Sequence, residues 1–123
     1  MATRVLITED EPNIAESLTF ILNREGYEVS TAPDGEAALQ RLRSDPPDLM
    51  ILDIMLPRLN GFEVLKQMKA DPALNALPVV ILTAKGQAHD RRMAEEIGAS
   101  AFITKPFSNR DIIEQVGRLT RAG

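Results

Sequence analysis

The chain has 123 residues, of which 44% are hydrophobic and 26% charged, values that suit one compact domain with a core of useful size. Its 14 basic and 18 acidic residues give a net charge of −4 and a pI near 5.0, with no basic stripe for direct nucleic-acid binding. Cysteine is absent, which excludes disulfides and thiolate chemistry and fits a reducing compartment. No apolar run approaches the roughly 20 residues of a membrane span, and the first residues do not resemble a signal peptide. We therefore expect a cytoplasmic protein that does not enter a membrane.

Five short apolar runs predict strands. They cover, in chain order, residues 5–8, 27–31, 49–52, 79–82 and 101–104. The runs are mostly continuous and lack a clean apolar–polar alternation, which is typical of parallel strands buried on both faces.

An amphipathic stretch follows each strand. The first helix is predicted to open at Pro12 and end near Gly26. The second follows the turn at residues 33–35 and is broken by residues 45–47, the third follows Asn60-Gly61, and the fourth stops at Gly98. The apolar residues at helical spacing are Ile14, Leu18, Ile21, Leu22, Ala38, Leu42, Phe62, Leu65, Met68, Met93, Ile97, Ile112, Ile113, Val116 and Leu119. This pattern predicts an α/β fold, a doubly wound (βα)5 sandwich of one parallel sheet, with residues 1–123 forming a single domain.

Polar residues stand where the predicted strands end. Glu9 and Asp10 follow the first strand, Asp53 the third, Thr83 the fourth and Lys105 the fifth. In open parallel sheets, ligands bind beyond the carboxyl ends of the strands, where the strand order reverses. With a strand order of 2-1-3-4-5, the three carboxylates converge in one cleft.

Three converging carboxylates repel one another unless a cation is present. Mg²⁺ is the natural neutralising ion because it takes hard oxygen ligands. A carboxylate such as Asp53 is also a possible nucleophile that accepts a phosphoryl group. The Lys105 ammonium and the Thr83 hydroxyl would then stabilise the phosphoryl oxygens.

Four motifs carry a resemblance to a known family. They are Glu9-Asp10 after the first strand, Asp53-Ile-Met-Leu-Pro57 with Asn60-Gly61, Thr83-Ala84, and Lys105-Pro106-Phe107. Together, in this order, they resemble the receiver domain of bacterial two-component response regulators, of the chemotaxis-regulator type, over essentially the whole chain. The resemblance implies a flavodoxin-like fold with strand order 2-1-3-4-5.

The resemblance also implies roles for individual residues. Asp53 would accept a phosphoryl group from a phosphohistidine. Mg²⁺ would be bound directly by Asp10, Asp53 and the backbone carbonyl of Met55, with Glu9 acting through water. Many family members have Asp where this chain has Glu9, and we expect the extra methylene to tune metal affinity. Lys105 would pair with the phosphoryl group.

By the same resemblance, the chain is a signalling switch. Thr83 would close onto the phosphoryl group, Phe102 would turn inward behind it, and the face of the fourth helix, fifth strand and fifth helix would change shape. The Lys105–Pro106 peptide bond would be cis. Met55 and Lys85, two residues after Asp53 and Thr83, would flank the water that removes the phosphoryl group.

The expected partners follow from this reading. They are a sensor histidine kinase or a histidine phosphotransfer protein, and a downstream protein target, without direct contact to nucleic acid. The domain would be a phosphoacceptor that assists its own phosphorylation and dephosphorylation, either a monomer or a phosphorylation-dependent dimer. We expect a stand-alone or shuttle-type receiver, because the 123 residues contain no DNA-binding domain and residues 98–101 lack the acidic pair typical of the winged-helix branch.

Simpler interpretations of the single residues stay open at this point. Asp53 could merely terminate a strand, and Thr83 could cap the following helix. Lys105 could be a solvated loop lysine and Phe102 a plain core aromatic. The Glu9-Asp10 pair could be a charge cluster favoured by a helix dipole.

Four alternatives stand beside the phosphoacceptor domain. An aspartate-nucleophile phosphatase typically carries a second Asp two residues after its nucleophile, where this chain has Met55. A nucleotide or flavin binder needs a glycine-rich phosphate loop, whereas the turn after the first strand is acidic and lacks glycine. A pseudo-receiver that never takes phosphate, and a receiver excised from a DNA-binding transcription regulator, are the alternatives to a phosphoacceptor domain.

Overall fold

The computed structural model describes residues 2–56, 59–84 and 88–120. Strands and helices alternate five times across these ranges. The strands are β1 (Arg4–Thr8), β2 (Glu28–Ala32), β3 (Leu49–Asp53), β4 (Val79–Ala84) and β5 (Ala101–Lys105). The helices are α1 (Pro12–Arg24), α2 (Gly35–Ser44), α3 (Gly61–Ala70), α4 (Ala88–Ile97) and α5 (Asn109–Thr120).

The strands form one sheet in the order β2-β1-β3-β4-β5, with every neighbouring pair parallel. The predicted α/β class and strand order are thus confirmed. The main difference lies at the strand ends, because β3, β4 and β5 each run one or two residues further than their apolar runs. The polar residues Asp53, Thr83 and Lys105 are therefore strand residues, held by the ladder on a rigid backbone.

Helices cover both faces of the sheet. On one face, Leu18 of α1 and Val116 of α5 pack on alternate strand residues such as Ile7 and Ile51. On the other face, α2, α3 and α4 pack on the intervening residues, such as Met50. Every residue of β3 is buried because this central strand is covered on both sides.

Local sequence signals set several helix starts. Asp34 caps α2 by accepting a hydrogen bond from the Ala37 N–H, and Asn60 caps α3 by accepting one from the Glu63 N–H. Pro12 occupies the first turn of α1, where its missing N–H costs no helical hydrogen bond. None of the helices within the described ranges has the length and apolar composition needed to cross a membrane.

Candidate functional site

The site lies at the edge of the sheet where the parallel strands end. Asp53 is the last residue of β3, Lys105 is the last residue of β5, and Glu9 directly follows β1. Thr83 lies in β4, one position beyond Leu82, the register partner of Asp53. The structure therefore brings the predicted polar residues together at one edge.

Asp53 is buried but fully engaged, with only 4% of the residue exposed. Its Oδ2 accepts a hydrogen bond from the Lys105 ammonium at 2.9 Å. Its Oδ1 accepts one from the backbone N–H of Met55 at 3.0 Å. A carboxylate held at both oxygens keeps one orientation, as a nucleophile requires. Strand termination alone does not explain this geometry.

A glycine supports the loop behind Asp53. A Cβ on Gly61, the first residue of α3, would lie 2.6 Å from the Asp53 carbonyl oxygen and 2.7 Å from the Ile54 Cα. The Gly61 N–H donates to the Ile54 carbonyl oxygen at 3.0 Å. Only a residue without a side chain lets α3 approach this closely, and the contact fixes the backbone that carries the carboxylate.

Lys105 bridges two carboxylates. Its ammonium lies 2.9 Å from Asp53 Oδ2 and 3.1 Å from Glu9 Oε1, with 22% of the lysine side chain exposed. Burial lowers the pKa of the Lys105 ammonium, but its contacts with Asp53 and Glu9 outweigh burial and leave that pKa raised. The lysine is therefore a charged part of the site and not a solvated loop residue.

Glu9 has a strongly raised pKa. Its buried carboxyl has a pKa raised to about 7, first by desolvation and then by the hydrogen bond and charge of Asp53, with Lys105 opposing the rise. Its Oε1 has no hydrogen-bond partner of good geometry among the described residues, although the Lys105 ammonium is close. A buried acceptor in this state is ready for a cation.

This raised pKa predicts a pH-dependent stability for the metal-free protein. Between the ordinary pKa of 4.5 and the folded value of about 7, the native state binds more protons than the unfolded state. The free energy of unfolding therefore decreases as pH rises through this window, by on the order of 3 kcal/mol. Urea denaturation in the presence of a chelator, repeated across the window, measures the slope.

Two variants give the controls for this slope. Glu9→Gln removes the titrating group and is expected to flatten the decrease. Glu16→Gln removes an exposed carboxylate on α1 and should leave it unchanged. An unaltered slope in Glu9→Gln would contradict the assignment of the titration to Glu9.

The acidic cluster fits a divalent cation. Carboxylate oxygens of Glu9, Asp10 and Asp53 all lie within 4.8 Å of one another. Asp10 is exposed, whereas Glu9 and Asp53 are buried, so solvent reaches the cluster at Asp10. Hard oxygen donors with room for water are the donor set that Mg²⁺ prefers.

Thr83 and Phe102 lie on the two neighbouring strands β4 and β5. Thr83 is 6% exposed and is a residue of β4, five positions before Ala88 of α4. Phe102 is half-buried against the core on the face covered by α2, α3 and α4. The guanidinium of Arg91 on α4 lies 4.9 Å from the centre of the Phe102 ring. The ring therefore makes a cation–π contact in addition to its packing against the core.

The remaining predicted features concern the Lys105–Pro106 bond, Pro57 and Lys85. The Lys105–Pro106 peptide bond is cis. Pro57 and Lys85 lie outside the described residues, so the expected position of Lys85 beside the phosphoryl group stays a prediction.

Sequence reasoning missed two contacts, from the Met55 amide to Asp53 and from Arg91 to Phe102. Neither residue type nor spacing signals them, because each depends on the tertiary position of a loop or helix.

Comparison with known proteins places this geometry in a family. The family model "Response regulator receiver domain" matches residues 5–117. The alkaline phosphatase synthesis transcriptional regulatory protein PhoP of Bacillus subtilis is 40% identical over 121 residues, covering 98% of this chain and 50% of that protein. The chain thus spans about half the length of the curated relatives it matches.

Solved structures agree with this. The signal receiver domain of a signal transduction histidine kinase from Syntrophus aciditrophicus matches with a TM-score of 0.92 and 35% identity, covering 98% of this chain and 92% of that one. The chemotaxis response regulator CheY4 of Vibrio cholerae matches with a TM-score of 0.91 and 27% identity, covering 97% and 99%. The expected flavodoxin-like receiver fold is confirmed.

Receiver domains of response regulators are phosphoacceptors rather than classical enzymes, and they interact with sensor kinases. The acidic cluster, the bridging lysine, the strand order and the match over residues 5–117 lead to one conclusion. The chain belongs to the response regulator receiver domain family.

Proposed function

We propose that Asp53 is the phosphoacceptor of a two-component phosphorelay, receiving its phosphoryl group from a phosphohistidine of a sensor kinase or a histidine phosphotransfer protein. The observation that carries this proposal is the Asp53 carboxylate, buried at the sheet edge and oriented by Lys105 and the Met55 amide. In the transfer, a bond forms between an Asp53 carboxylate oxygen and phosphorus. The bond between phosphorus and the histidine nitrogen breaks, and its electrons stay with the imidazole.

The acidic cluster would hold Mg²⁺ through Asp10 and Asp53, with the Met55 carbonyl as a further ligand and Glu9 acting through water. When bound, the ion supplies charge neutralisation for the phosphoryl oxygens. A cation in the cluster would also offset the desolvation and the Asp53 charge that together raise the pKa of Glu9. Support for this assignment comes from the clustered oxygens and from Glu9 Oε1, which is buried and has the Lys105 ammonium at 3.1 Å but no hydrogen bond of good geometry among the described residues.

Lys105 supplies the positive charge of the protein itself. Its ammonium lies 2.9 Å from Asp53 Oδ2, one of the two carboxylate oxygens that would bind the phosphoryl group or lie beside it. The transition state of phosphoryl transfer spreads negative charge over the phosphoryl oxygens. A fixed ammonium in a site shielded from water stabilises that charge without reorganising, so the domain assists its own phosphorylation.

The switch would start at Thr83. The phosphoryl group adds about −1.5 to −2 charge and three strong acceptors, and the Thr83 hydroxyl on the neighbouring strand is a donor for them. Movement of Thr83 would change the space behind it, and the half-buried Phe102 ring on β5 would follow. The face formed by α4, β5 and α5 would thereby report the phosphorylation of Asp53.

The domain passes on its signal through a protein contact. Residues 1–123 act as one receiver domain that signals through a downstream protein. The relatives whose names denote transcriptional regulators are about twice as long as this chain. We predict that the domain acts without a DNA-binding domain. We also predict that it is cytoplasmic and that it is either a monomer or a phosphorylation-dependent dimer.

Phosphorylation by acetyl phosphate tests the proposed function. The wild type should gain one phosphoryl group by intact mass when Mg²⁺ is present, and Asp53→Asn should gain none. Asp111→Asn, an exposed carboxylate of α5, is the matched control and should behave as wild type. No adduct on the wild type would favour a pseudo-receiver that binds partners without phosphate.

The lifetime of the phosphoryl group is expected to be long. A methionine side chain and a lysine, the residues at Met55 and Lys85, lack an acceptor that orients the attacking water. Met55→Asn combined with Lys85→Glu should shorten the lifetime by about tenfold, the effect of one well-placed hydrogen bond to the attacking water. Decay of the phosphorylated mass after removal of donor measures it, and an unchanged lifetime would refute the explanation.

A further inference from the structure

Met55 is an anomaly beside the phosphoacceptor. Its residue is 72% exposed, whereas Ile54 and Leu56 on either side are 3% and 8% exposed. An apolar side chain left in water contributes little to folding. The exposure leaves the Met55 thioether open to dissolved reagents.

The backbone of Met55 is fixed next to the reacting carboxylate. Its N–H donates to Asp53 Oδ1 at 3.0 Å, so an exposed side chain begins within one residue of the carboxylate. Methionine is unbranched with three rotatable bonds, which lets its sulfur sample the solvent that adjoins the carboxylate. Asp53 itself is 4% exposed, so the solvent beside Met55 lies close to a carboxylate that water otherwise reaches poorly.

The other methionines of the described residues are protected. Met50 and Met68 are 0% exposed, and the Met50 sulfur accepts a hydrogen bond from the Thr8 hydroxyl at 3.3 Å. Met93 is half-buried on α4. Because oxidation of thioethers follows exposure, an oxidant is expected to reach Met55 before these three.

We propose that Met55 is a site of reversible oxidation and that its sulfoxide shortens the life of a phosphoryl group on Asp53. A hydroperoxide transfers one oxygen atom to the Met55 sulfur. The O–O bond breaks, an S–O bond forms, the sulfur loses two electrons, and the peroxide leaves as water or an alcohol. This inference rests on the proposed phosphorylation of Asp53.

The chemical consequence is a new hydrogen-bond acceptor close to the carboxylate. The thioether is only a weak acceptor, whereas the sulfoxide is polar, and its oxygen accepts strongly. An acceptor in this position orients the attacking water and takes a hydrogen bond from it as it adds to phosphorus. One hydrogen bond of ordinary net strength corresponds to about a three- to tenfold faster hydrolysis.

The test separates oxidation from its effect. The unphosphorylated protein is treated with hydrogen peroxide, desalted, and mapped by peptide mass spectrometry. It is then phosphorylated with acetyl phosphate and Mg²⁺, and decay is followed by intact mass after the donor is removed. We expect sulfoxide at Met55 ahead of Met50 and Met68, a lifetime about three- to tenfold shorter, and recovery of the lifetime after methionine sulfoxide reductase.

Two variants serve as controls. For each of them, the phosphoryl lifetime without peroxide treatment is divided by the lifetime after treatment. Met55→Leu has no sulfur, and its ratio should be one. Met55→Gln carries a permanent carbonyl acceptor, so its lifetime should be short without peroxide and should not change with it. Equal decay of oxidised and unoxidised wild type, or the same loss in Met55→Leu, would overturn the inference. Absence of any adduct on the unoxidised protein would instead overturn the proposed function and, with it, this inference.

Discussion

Replacement of Lys105 by alanine is expected to slow phosphorylation of Asp53 by about 100- to 1000-fold, the cost of removing one preorganised donor from a charge-stabilising site. The ammonium donates to Asp53 Oδ2 at 2.9 Å and lies 3.1 Å from Glu9 Oε1. Its loss leaves two buried carboxylates without their cation and the transferring phosphoryl group without a donor. Because the chain has no tryptophan, a time course of intact mass with acetyl phosphate is the suitable measurement.

The same variant should keep its affinity for Mg²⁺ or bind the ion more tightly, because a competing cation has been removed from the acidic cluster. Titration calorimetry of the unphosphorylated protein measures that affinity. Lys66→Ala is the matched control, because Lys66 is an exposed lysine of α3 whose Nζ lies 3.7 Å from Oε1 of Glu63 in the same helix. A Lys105→Ala protein that phosphorylates at the wild-type rate would show that the ammonium is structural.

Loss of the divalent cation is the second large effect. With a chelator in place of Mg²⁺, phosphorylation of the wild type should slow by on the order of a thousandfold, because a bound ion supplies several kcal/mol of charge stabilisation. Asp10→Asn should weaken Mg²⁺ binding by about 100-fold and shift the Mg²⁺ requirement accordingly, as expected when a supporting carboxylate of a metal site is lost. The rate measured as a function of Mg²⁺ concentration gives both numbers.

Saturation separates this role from a defect in folding. At high Mg²⁺ concentration the Asp10→Asn protein should recover most of the wild-type rate, since Asp53 and Lys105 keep their contact. The Lys105→Ala protein should not recover. Equal Mg²⁺ requirements for Asp10→Asn and wild type would contradict the assignment of Asp10 to the metal site.

The sequence predicts the fold well because its strongest patterns are local. Continuous apolar runs such as residues 49–52 and helical spacing such as that from Leu18 to Leu22 determine the elements, and the parallel arrangement follows from their alternation. The strand ends were predicted too short. Asp53 and Lys105 belong to strands through backbone pairing with their neighbours, and hydrophobicity carries no signal for that pairing.

The composition of the site was also within reach of the sequence, but its electrostatics were not. Residue order brings Glu9, Asp10 and Asp53 to one edge once the strand order is known. The raised pKa of Glu9 depends on how deeply its carboxyl is buried and on the distance to Lys105, and both are set by tertiary packing. The exposure of Met55 between two buried neighbours is likewise invisible in an apolar run of residues 54–56.

The central claim is that Asp53 itself carries the phosphoryl group, and the most direct measurement locates the acyl phosphate. The wild-type protein is phosphorylated with acetyl phosphate and Mg²⁺ and treated with borohydride, which reduces an aspartyl phosphate to homoserine. It is then digested for peptide mass spectrometry. The account predicts homoserine at position 53 and unmodified aspartate at position 10. Homoserine at position 10, or unmodified aspartate at position 53 in a protein that has gained the phosphoryl mass, would contradict it.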